Sequence, residues 1–149
     1  MNKTMKILVA LQFTESPDEI LDRALSVAKK YEAEIYTIHV IEEMPRISFY
    51  SDAYKLWEEF RDHAVKETLK EMTSYIGKLS DQFKKIEPII VVGSACDKIL
   101  ETAEKIGADL IIIGHHVRKG VFTHMIHNNI AEKIIRNAEI PVLTFNIRE

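Results

Sequence analysis

The chain has 149 residues, about the size of one domain and enough to bury an independent core. Its 20 basic and 23 acidic residues give a formal net charge of -3, so no broad cationic surface for nucleic acid or anionic lipid is expected. The single cysteine cannot form an internal disulfide, residues 1–4 lack a signal-peptide pattern, and no apolar run approaches the roughly 20 residues that cross a bilayer. These features predict one cytoplasmic domain over residues 1–149, with no membrane segment.

The first 41 residues predict a strand, a helix and a second strand. Residues 5–11 are almost continuously apolar, as in a strand covered on both faces. Ser16, Pro17 and Glu19 are residue types of a helix N-terminus, and an apolar face then continues to Tyr31. Residues 34–41 are rich in β-branched and aromatic side chains, which favours the second strand.

The middle of the chain predicts a long helix. Residues 42–51 contain Pro45 and no sustained period, which indicates a connection. Residues 52–80 then carry apolar side chains at steps of three to five, which indicates a long amphipathic helix, and we expect its aromatic side chains to pack in the core. The apolar residues of this pattern are Tyr54, Trp57, Phe60, Ala64, Leu69, Met72, Ile76 and Leu79.

The remaining residues continue the alternation of strands and helices. The sequence predicts strands at 88–92, 108–113 and 141–147, the first of them opening at Pro88. Ser94 and Asp97 have capping-box chemistry for a helix that ends near Gly107, and Asn129 begins a helix that runs to about residue 137. A loop from Gly114 to Asn129 separates the fourth strand from that last helix.

Five short apolar strands separated by four helices favour a three-layer, doubly wound α/β fold with helices on both faces of a parallel sheet. The expected strand order is 3-2-1-4-5, which opens a crevice at the carboxyl ends of strands 1 and 4. Any ligand is therefore expected at the loops formed by residues 12–15 and 114–129.

Several segments resemble the universal stress protein family in their order along nearly the whole chain. They are residues 6–10, 38–41, Val92-Gly93 followed by Ile99-Leu100, 107–114, 131–138 and 140–143. The family's nucleotide-binding members carry Gly-x-x-Gly, nine further residues and then Gly-Ser or Gly-Thr after strand 4. Here Gly114 matches the first glycine, but Val117 replaces the second and His127-Asn128 replaces the final pair.

The first loop also departs from the pattern that the resemblance implies. Gln12 stands where those members have an aspartate for the ribose hydroxyls. The triplet Gly114-His115-His116 resembles the branch that lacks the intact fingerprint. Glycine amides, a cationic side chain and a helix start can still form an anion site. The candidate contacts for ATP or another adenine nucleotide are Gln12, Val40, Gly114, His116, Arg118, Gly120, Asn128 and Asn129.

The same loop gathers four of the six histidines, His115, His116, His124 and His127. Imidazoles can bind zinc, and His124 and His127 are spaced to share one helical face. The loop supplies no carboxylate or cysteine, so we assign no metal ligand; solvated side chains, or a proton sensor between about pH 5 and 8, are the alternatives. Cys96 follows a helix start that could lower its pKa, although a small packing residue is the simpler interpretation.

The last strand, from Val142 to Ile147, is expected at a sheet edge. The resemblance implies that this strand pairs across a two-fold axis, which predicts a homodimer. Two functions follow as alternatives: a stress-response regulatory or interaction protein that is not a dedicated enzyme, or an adenine-nucleotide switch with weak or no hydrolysis. A metal-dependent enzyme is a third, weaker alternative, and the loop also offers a surface for a protein partner.

Overall fold

The computed structural model describes residues 3–11, 17–43, 52–117 and 130–148. The strands are β1 (Lys6–Ala10), β2 (Glu34–Ile41), β3 (Ile86–Val92), β4 (Leu110–Val117) and β5 (Val142–Arg148). The helices are α1 (Pro17–Tyr31), α2 (Asp52–Gly77), α3 (Ala95–Ile106) and α4 (Ile130–Asn137), and a 3-10 turn, Ser80–Gln82, follows α2. Among the helices of these segments, none combines the length and apolar composition needed to cross a bilayer.

The five strands form one parallel sheet in the order β3-β2-β1-β4-β5, which confirms the predicted topology. β1 is the central strand, and its Ile7, Leu8 and Val9 have no exposed surface. Continuous apolar composition was the sign of this position, because a central parallel strand is covered on both faces.

Helices cover both faces of the sheet. Ile7 and Val9 belong to one core cluster with residues of α1 and Met72 of α2, while Leu8 and Ala10 belong to a second cluster with residues of α3 and α4. The alternation follows from the two-residue period of a strand, which sends successive side chains to opposite faces. The result is the expected three-layer α/β arrangement.

Two predicted helix ends have different outcomes. Gly107 ends α3 in the left-handed conformation (φ 69°), and its N–H bonds the carbonyls of Ala103 and Glu104, as predicted for a glycine cap. Ser94 is at the start of α3, but its side chain makes no capping hydrogen bond. The predicted start of the helix is therefore confirmed, and the predicted capping hydrogen bond of the Ser94 side chain is wrong. The predicted caps at Ser16 and Asn129 lie outside the described residues.

Several predicted strand and helix boundaries are corrected. β3 begins at Ile86, two residues before Pro88. The strand can contain this proline because the main-chain groups of Pro88 point away from β2, so no N–H is required for pairing with β2. α2 ends at Gly77 instead of Ser80. β5 runs one residue beyond the predicted end, and the proline before it, Pro141, accepts a hydrogen bond from Ile111.

The prediction that the α2 aromatic residues pack in the core is wrong for Phe60. Its side chain is 65% exposed, and Leu56, one helical turn earlier, is 66% exposed. Only Met72 and Ile76 of α2 are buried, and both lie in its last two turns. The spacing of apolar residues correctly indicated an amphipathic helix. The 26-residue helix is, however, longer than the strands of the sheet, so the sheet cannot cover its whole apolar face.

The difference in burial between Met72 and Phe60 predicts different losses of stability when each side chain is truncated to alanine. We expect Met72→Ala to lower the free energy of unfolding by about 2–5 kcal/mol, because it leaves a cavity beneath α2. Phe60→Ala should change it by less than about 0.5 kcal/mol, as for other exposed positions. Urea unfolding of both variants measures the difference, and an equal loss for the two would contradict the exposed placement of Phe60.

Candidate functional site

The carboxyl end of β1 lies between two neighbours that continue further. Ala10, its last residue, pairs with Ile38 of β2 and Ile113 of β4. β2 then continues to Ile41 and β4 to Val117, which is three and four residues beyond these partners. At about 3.3 Å per residue, the two strands extend roughly 10–13 Å past the end of β1. We call the region beyond the carboxyl end of β1, between residues 39–41 and 114–117, the β1 notch.

The chain leaves β1 at a fixed point on the floor of this notch. The N–H of Leu11 donates to the carbonyl oxygen of Ile38 at 2.8 Å. The carbonyl oxygen of Leu11 lies 2.9 Å from Nδ1 of His39. Because a carbonyl oxygen only accepts, Nδ1 carries the proton and donates it. Both main-chain groups of Leu11 are therefore bonded to β2, immediately before Gln12.

The structure brings three of the eight predicted site residues to the walls of the notch. Val40 lies on β2, where it pairs with Val91 and is half-buried. Gly114 and His116 lie on β4, on the opposite wall. The other five lie outside the described residues and stay predictions; they are Gln12, Arg118, Gly120, Asn128 and Asn129.

The predicted start of the ligand loop at Gly114 is corrected. β4 does not end at Ile113 but continues through Val117, with Gly114 paired to Phe145 and Val117 paired to Arg148. The pairing with β5 supplies partners for the main chain there, which overrides the low strand preference of glycine. Gly114 is consequently part of a wall of the notch instead of a loop residue.

Sequence reasoning missed His39 as a residue of this site. A signal for it was present, since His39 is a polar side chain inside the otherwise apolar segment 38–41. Buried or half-buried polar side chains usually have a hydrogen-bond partner. Its partner belongs to another strand, which local sequence spacing does not reveal.

The histidine cluster is only partly described. His115 is half-buried and pairs through the main chain with Asn146. Within the described ranges, His, Cys, Asp and Glu side chains form no group of three or more that could hold a metal ion. His124 and His127 lie outside those ranges, and their metal and proton-sensing alternatives stay hypotheses.

Cys96 is in a different environment from the one that its position at a helix start indicated. Burial raises the pKa of its thiol, the negative charge of Asp97 raises it further, and Lys133 opposes this effect. The sulfur therefore stays protonated at neutral pH, and the side chain packs with the α3 and α4 core. This environment is that of a packing residue.

Comparison with known proteins places this geometry in a family. The model of the universal stress protein family matches residues 3–146, which include β1 to β4 and most of β5. The chain belongs to the universal stress protein family. The match confirms the resemblance found in the sequence segments.

Individual relatives match this chain over most of their length. The chain is 29% identical over 143 residues to universal stress protein MJ0531 of Methanocaldococcus jannaschii, covering 95% of this chain and 82% of that protein. The solved structure of hypothetical protein MJ0577 is 25% identical, covers 97% of both chains and has a TM-score of 0.74.

Some of the similar structures contain a nucleotide, including complexes with cAMP and with dAMP. The universal stress protein of Archaeoglobus fulgidus in complex with dAMP has a TM-score of 0.61 at 23% identity, covering 94% of this chain and 96% of that one. At this identity the likeness concerns the fold.

Proposed function

We propose that this member of the universal stress protein family is a stress-response regulatory protein that acts as a homodimer and binds an adenine nucleotide weakly in the β1 notch. In this proposal the bound or free state carries the signal, and hydrolysis is slow or absent. The observation that carries the nucleotide proposal is the end of β1 at Ala10 between two longer strands.

The topology supports a ligand at this position. From β1 the chain proceeds to β2 and β3 on one side and later reaches β4 and β5 on the other. Connections that leave in opposite directions open a crevice at the carboxyl ends of the strands, where α/β proteins bind ligands. The dAMP complex of the Archaeoglobus fulgidus protein supports the proposal that this fold accommodates an adenine nucleotide.

The residues near the notch suit the parts of a nucleotide differently. Val40 offers an apolar contact for a base on one wall, and Gly114 allows close approach to the main chain on the other. Arg118 follows β4 directly in the sequence and supplies a cation for phosphate. α4 begins at Ile130, so the main-chain amides at its start provide further donors for an anion.

Two sequence features indicate weak binding. Gln12 lacks the negative charge with which an aspartate accepts strong hydrogen bonds from ribose hydroxyls. Val117 has a side chain where the family fingerprint has glycine, which restricts the approach of phosphate to the main chain. The eight candidate residues include no carboxylate, and His116 is their one side chain of general-base type; we propose binding with slow or absent hydrolysis.

A thermal-shift titration tests the nucleotide proposal. Mg-ATP at about a hundred times its Kd should stabilise the protein by roughly 2.7 kcal/mol, because the ligand binds only the folded state. Arg118→Gln should weaken the response to Mg-ATP and leave the response to adenosine unchanged, since adenosine has no phosphate. A mass spectrum of the denatured, freshly purified protein detects any retained nucleotide. No stabilisation by millimolar Mg-ATP would exclude this part of the proposal.

The register of β5 supports the homodimer. Ile111 pairs with Val142 and donates its N–H to the carbonyl of Pro141, so the alternate residues beginning with Val142 direct their main-chain groups away from β4. These outward positions are Val142, Thr144, Asn146 and Arg148. No proline interrupts them, and a second copy of the strand related by a two-fold axis can pair with them.

The opposite edge of the sheet is less suitable for pairing. Ile35 pairs with Ile86 and donates its N–H to the carbonyl of Lys85, which makes Pro88 an outward position of β3. Proline has no N–H, so the outer edge of β3 lacks a donor near its middle. This difference between the edges favours β5 as the site of dimerisation.

A single proline tests the dimer proposal. Thr144→Pro removes an outward N–H from β5 without removing a hydrogen bond to β4, and we expect it to give a monomer. Thr144→Ala keeps the N–H and should remain dimeric. Sedimentation velocity measures the three proteins, with circular dichroism to check folding. A monomeric wild type, or a folded Thr144→Pro dimer as stable as the wild type, would contradict the proposal.

A further inference from the structure

Two large apolar side chains are exposed next to each other on α2. Leu56 is 66% exposed and Phe60 is 65% exposed, and they lie one helical turn apart. The other exposed large apolar side chains of the described segments stand singly, as is common on soluble proteins; they are Tyr31, Leu69 and Ile135. Adjacent exposed apolar side chains are typical of a contact surface. We call Leu56 and Phe60 together the α2 stripe.

The α2 stripe belongs to the part of the helix that the sheet does not cover. α2 packs on β3, and its buried residues Met72 and Ile76 lie in its last two turns. At 1.5 Å per residue the 26-residue helix is about 39 Å long, whereas the seven residues of β3 span about 23 Å. Because a crossover helix runs back along the parallel strands that it joins, residues 52–67 extend past the carboxyl ends of the strands.

Ring contacts hold this first half of α2 in a defined arrangement. The rings of Tyr54 and Trp57 are stacked with their centroids 6.0 Å apart, and the guanidinium of Arg61 lies 5.1 Å from the ring centroid of Trp57. Nε of Arg61 also donates to Oδ1 of Asp62 at 3.2 Å. A surface that is ordered before it meets a partner loses less conformational entropy on binding.

The charges beside the α2 stripe are acidic. At about 100° per residue, three carboxylates of residues 52–67 lie within about 80° of the stripe; they are Asp52, Glu59 and Glu67. Lys55 and Lys66 lie about 100–120° away from it around the helix, and Arg61 is directed to Trp57 and Asp62. His63 is the one side chain of this sector that can become positively charged. No described cation lies within 4.0 Å of the three carboxylates.

The combination of an apolar stripe and an acidic border discriminates between occupants. A second copy of the chain would bring two acidic borders together, and an anionic lipid surface would face the same carboxylates, so like charges oppose both contacts. An amphipathic helix with apolar side chains one turn apart and lysine or arginine beside them complements both the stripe and its border.

We propose that the α2 stripe is a docking surface for a basic amphipathic helix of a protein partner. The apolar side chains of that helix pack on Leu56 and Phe60, and its lysine or arginine side chains face Glu59 and Glu67. The stripe lies on α2, outside the β1 notch, so this proposal does not depend on nucleotide binding.

Two labelled synthetic peptides test the chemistry of the partner. The probe is a helical peptide of leucine and lysine with the leucines on one face, about 18 residues or five turns long. The control peptide has glutamate in place of every lysine. Fluorescence anisotropy measures the binding of each to the full chain at neutral pH and low ionic strength. We expect the lysine peptide to bind at least about tenfold more tightly than the glutamate peptide, with an affinity that falls as salt is added.

A pair of apolar variants locates the binding surface. Leu56→Ser combined with Phe60→Ser should weaken binding of the lysine peptide more than about tenfold, because it removes the apolar anchors. Tyr31→Ser is the matched control, since Tyr31 is 62% exposed on α1, and its affinity should stay within about twofold of the wild type. Circular dichroism and thermal unfolding check that both proteins fold, as expected for substitutions at exposed positions.

A pair of charge variants tests the acidic border. Glu59→Lys combined with Glu67→Lys should weaken binding of the lysine peptide about three- to tenfold at low salt, and by less as salt is added. Asp81→Lys combined with Glu104→Lys makes the same change of net charge at exposed positions away from α2 and should have a smaller effect. Asp52 is left unchanged because a carboxylate in the first turn also stabilises the helix itself.

Several results would overturn the proposal. They are no binding of the lysine peptide by the wild type, equal binding of the two peptides, and an equal effect of either variant pair and its control. A change of oligomeric state in the Leu56→Ser, Phe60→Ser protein, measured by sedimentation velocity, would make a second copy the occupant. Cosedimentation with phosphatidylglycerol vesicles that is lost in the same variant would make a membrane the occupant.

Discussion

The structure depends on the pairing of β1 with a strand on each side. Lys6 pairs with Glu34 of β2, and Ala10 pairs with both Ile38 and Ile113. The neighbouring strands supply hydrogen-bond partners for the main chain of β1. Its apolar side chains fill the core layers on both faces of the sheet. A shift by one residue would exchange the two faces and bury the wrong side chains, so packing fixes the register.

Hydrogen bonds hold the amino end of β1 as well as its carboxyl end. The N–H of Lys6 donates to Oδ2 of Asp109 at 2.9 Å, and the N–H of Asp109 donates to the Lys6 carbonyl at 2.8 Å. At the other end Leu11 is bonded to Ile38 and His39. Hydrogen bonds at both ends fix the position of β1 between its neighbours. Because β2 and β4 are longer and pair in this register, both continue beyond the carboxyl end of β1. The notch is thus a consequence of strand length and register.

Much of the fold could be predicted from the sequence because its signals are local. The apolar run of β1, the glycine at position 107 and the alternation of strands with helices all depend on neighbouring residues, and together they gave the strand order. The strand order in turn indicated the carboxyl ends of β1 and β4 as the ligand edge. Phe60 was misplaced because periodicity shows which face of a helix is apolar and not how far the sheet beneath it extends.

The candidate site was harder to predict, since its geometry depends on contacts between strands. The continuation of β4 through Gly114 requires the main chain of β5, and neither glycine nor the two following histidines favours a strand. The partner of His39 is 28 residues earlier in the chain. Pattern reasoning placed the candidate site at the carboxyl ends of β1 and β4 and did not include His39, whose contact with Leu11 lies at that edge.

The most direct test of the account is an amide NMR titration of the ¹⁵N-labelled protein with Mg-ATP. The largest shifts are expected at Leu11, Val40 and Gly114, around the notch, with little change at Lys6 and Asp109 at the opposite end of the sheet. Absence of shifts at millimolar Mg-ATP, or largest shifts at the amino end of β1, would contradict the assignment of the β1 notch as the ligand site.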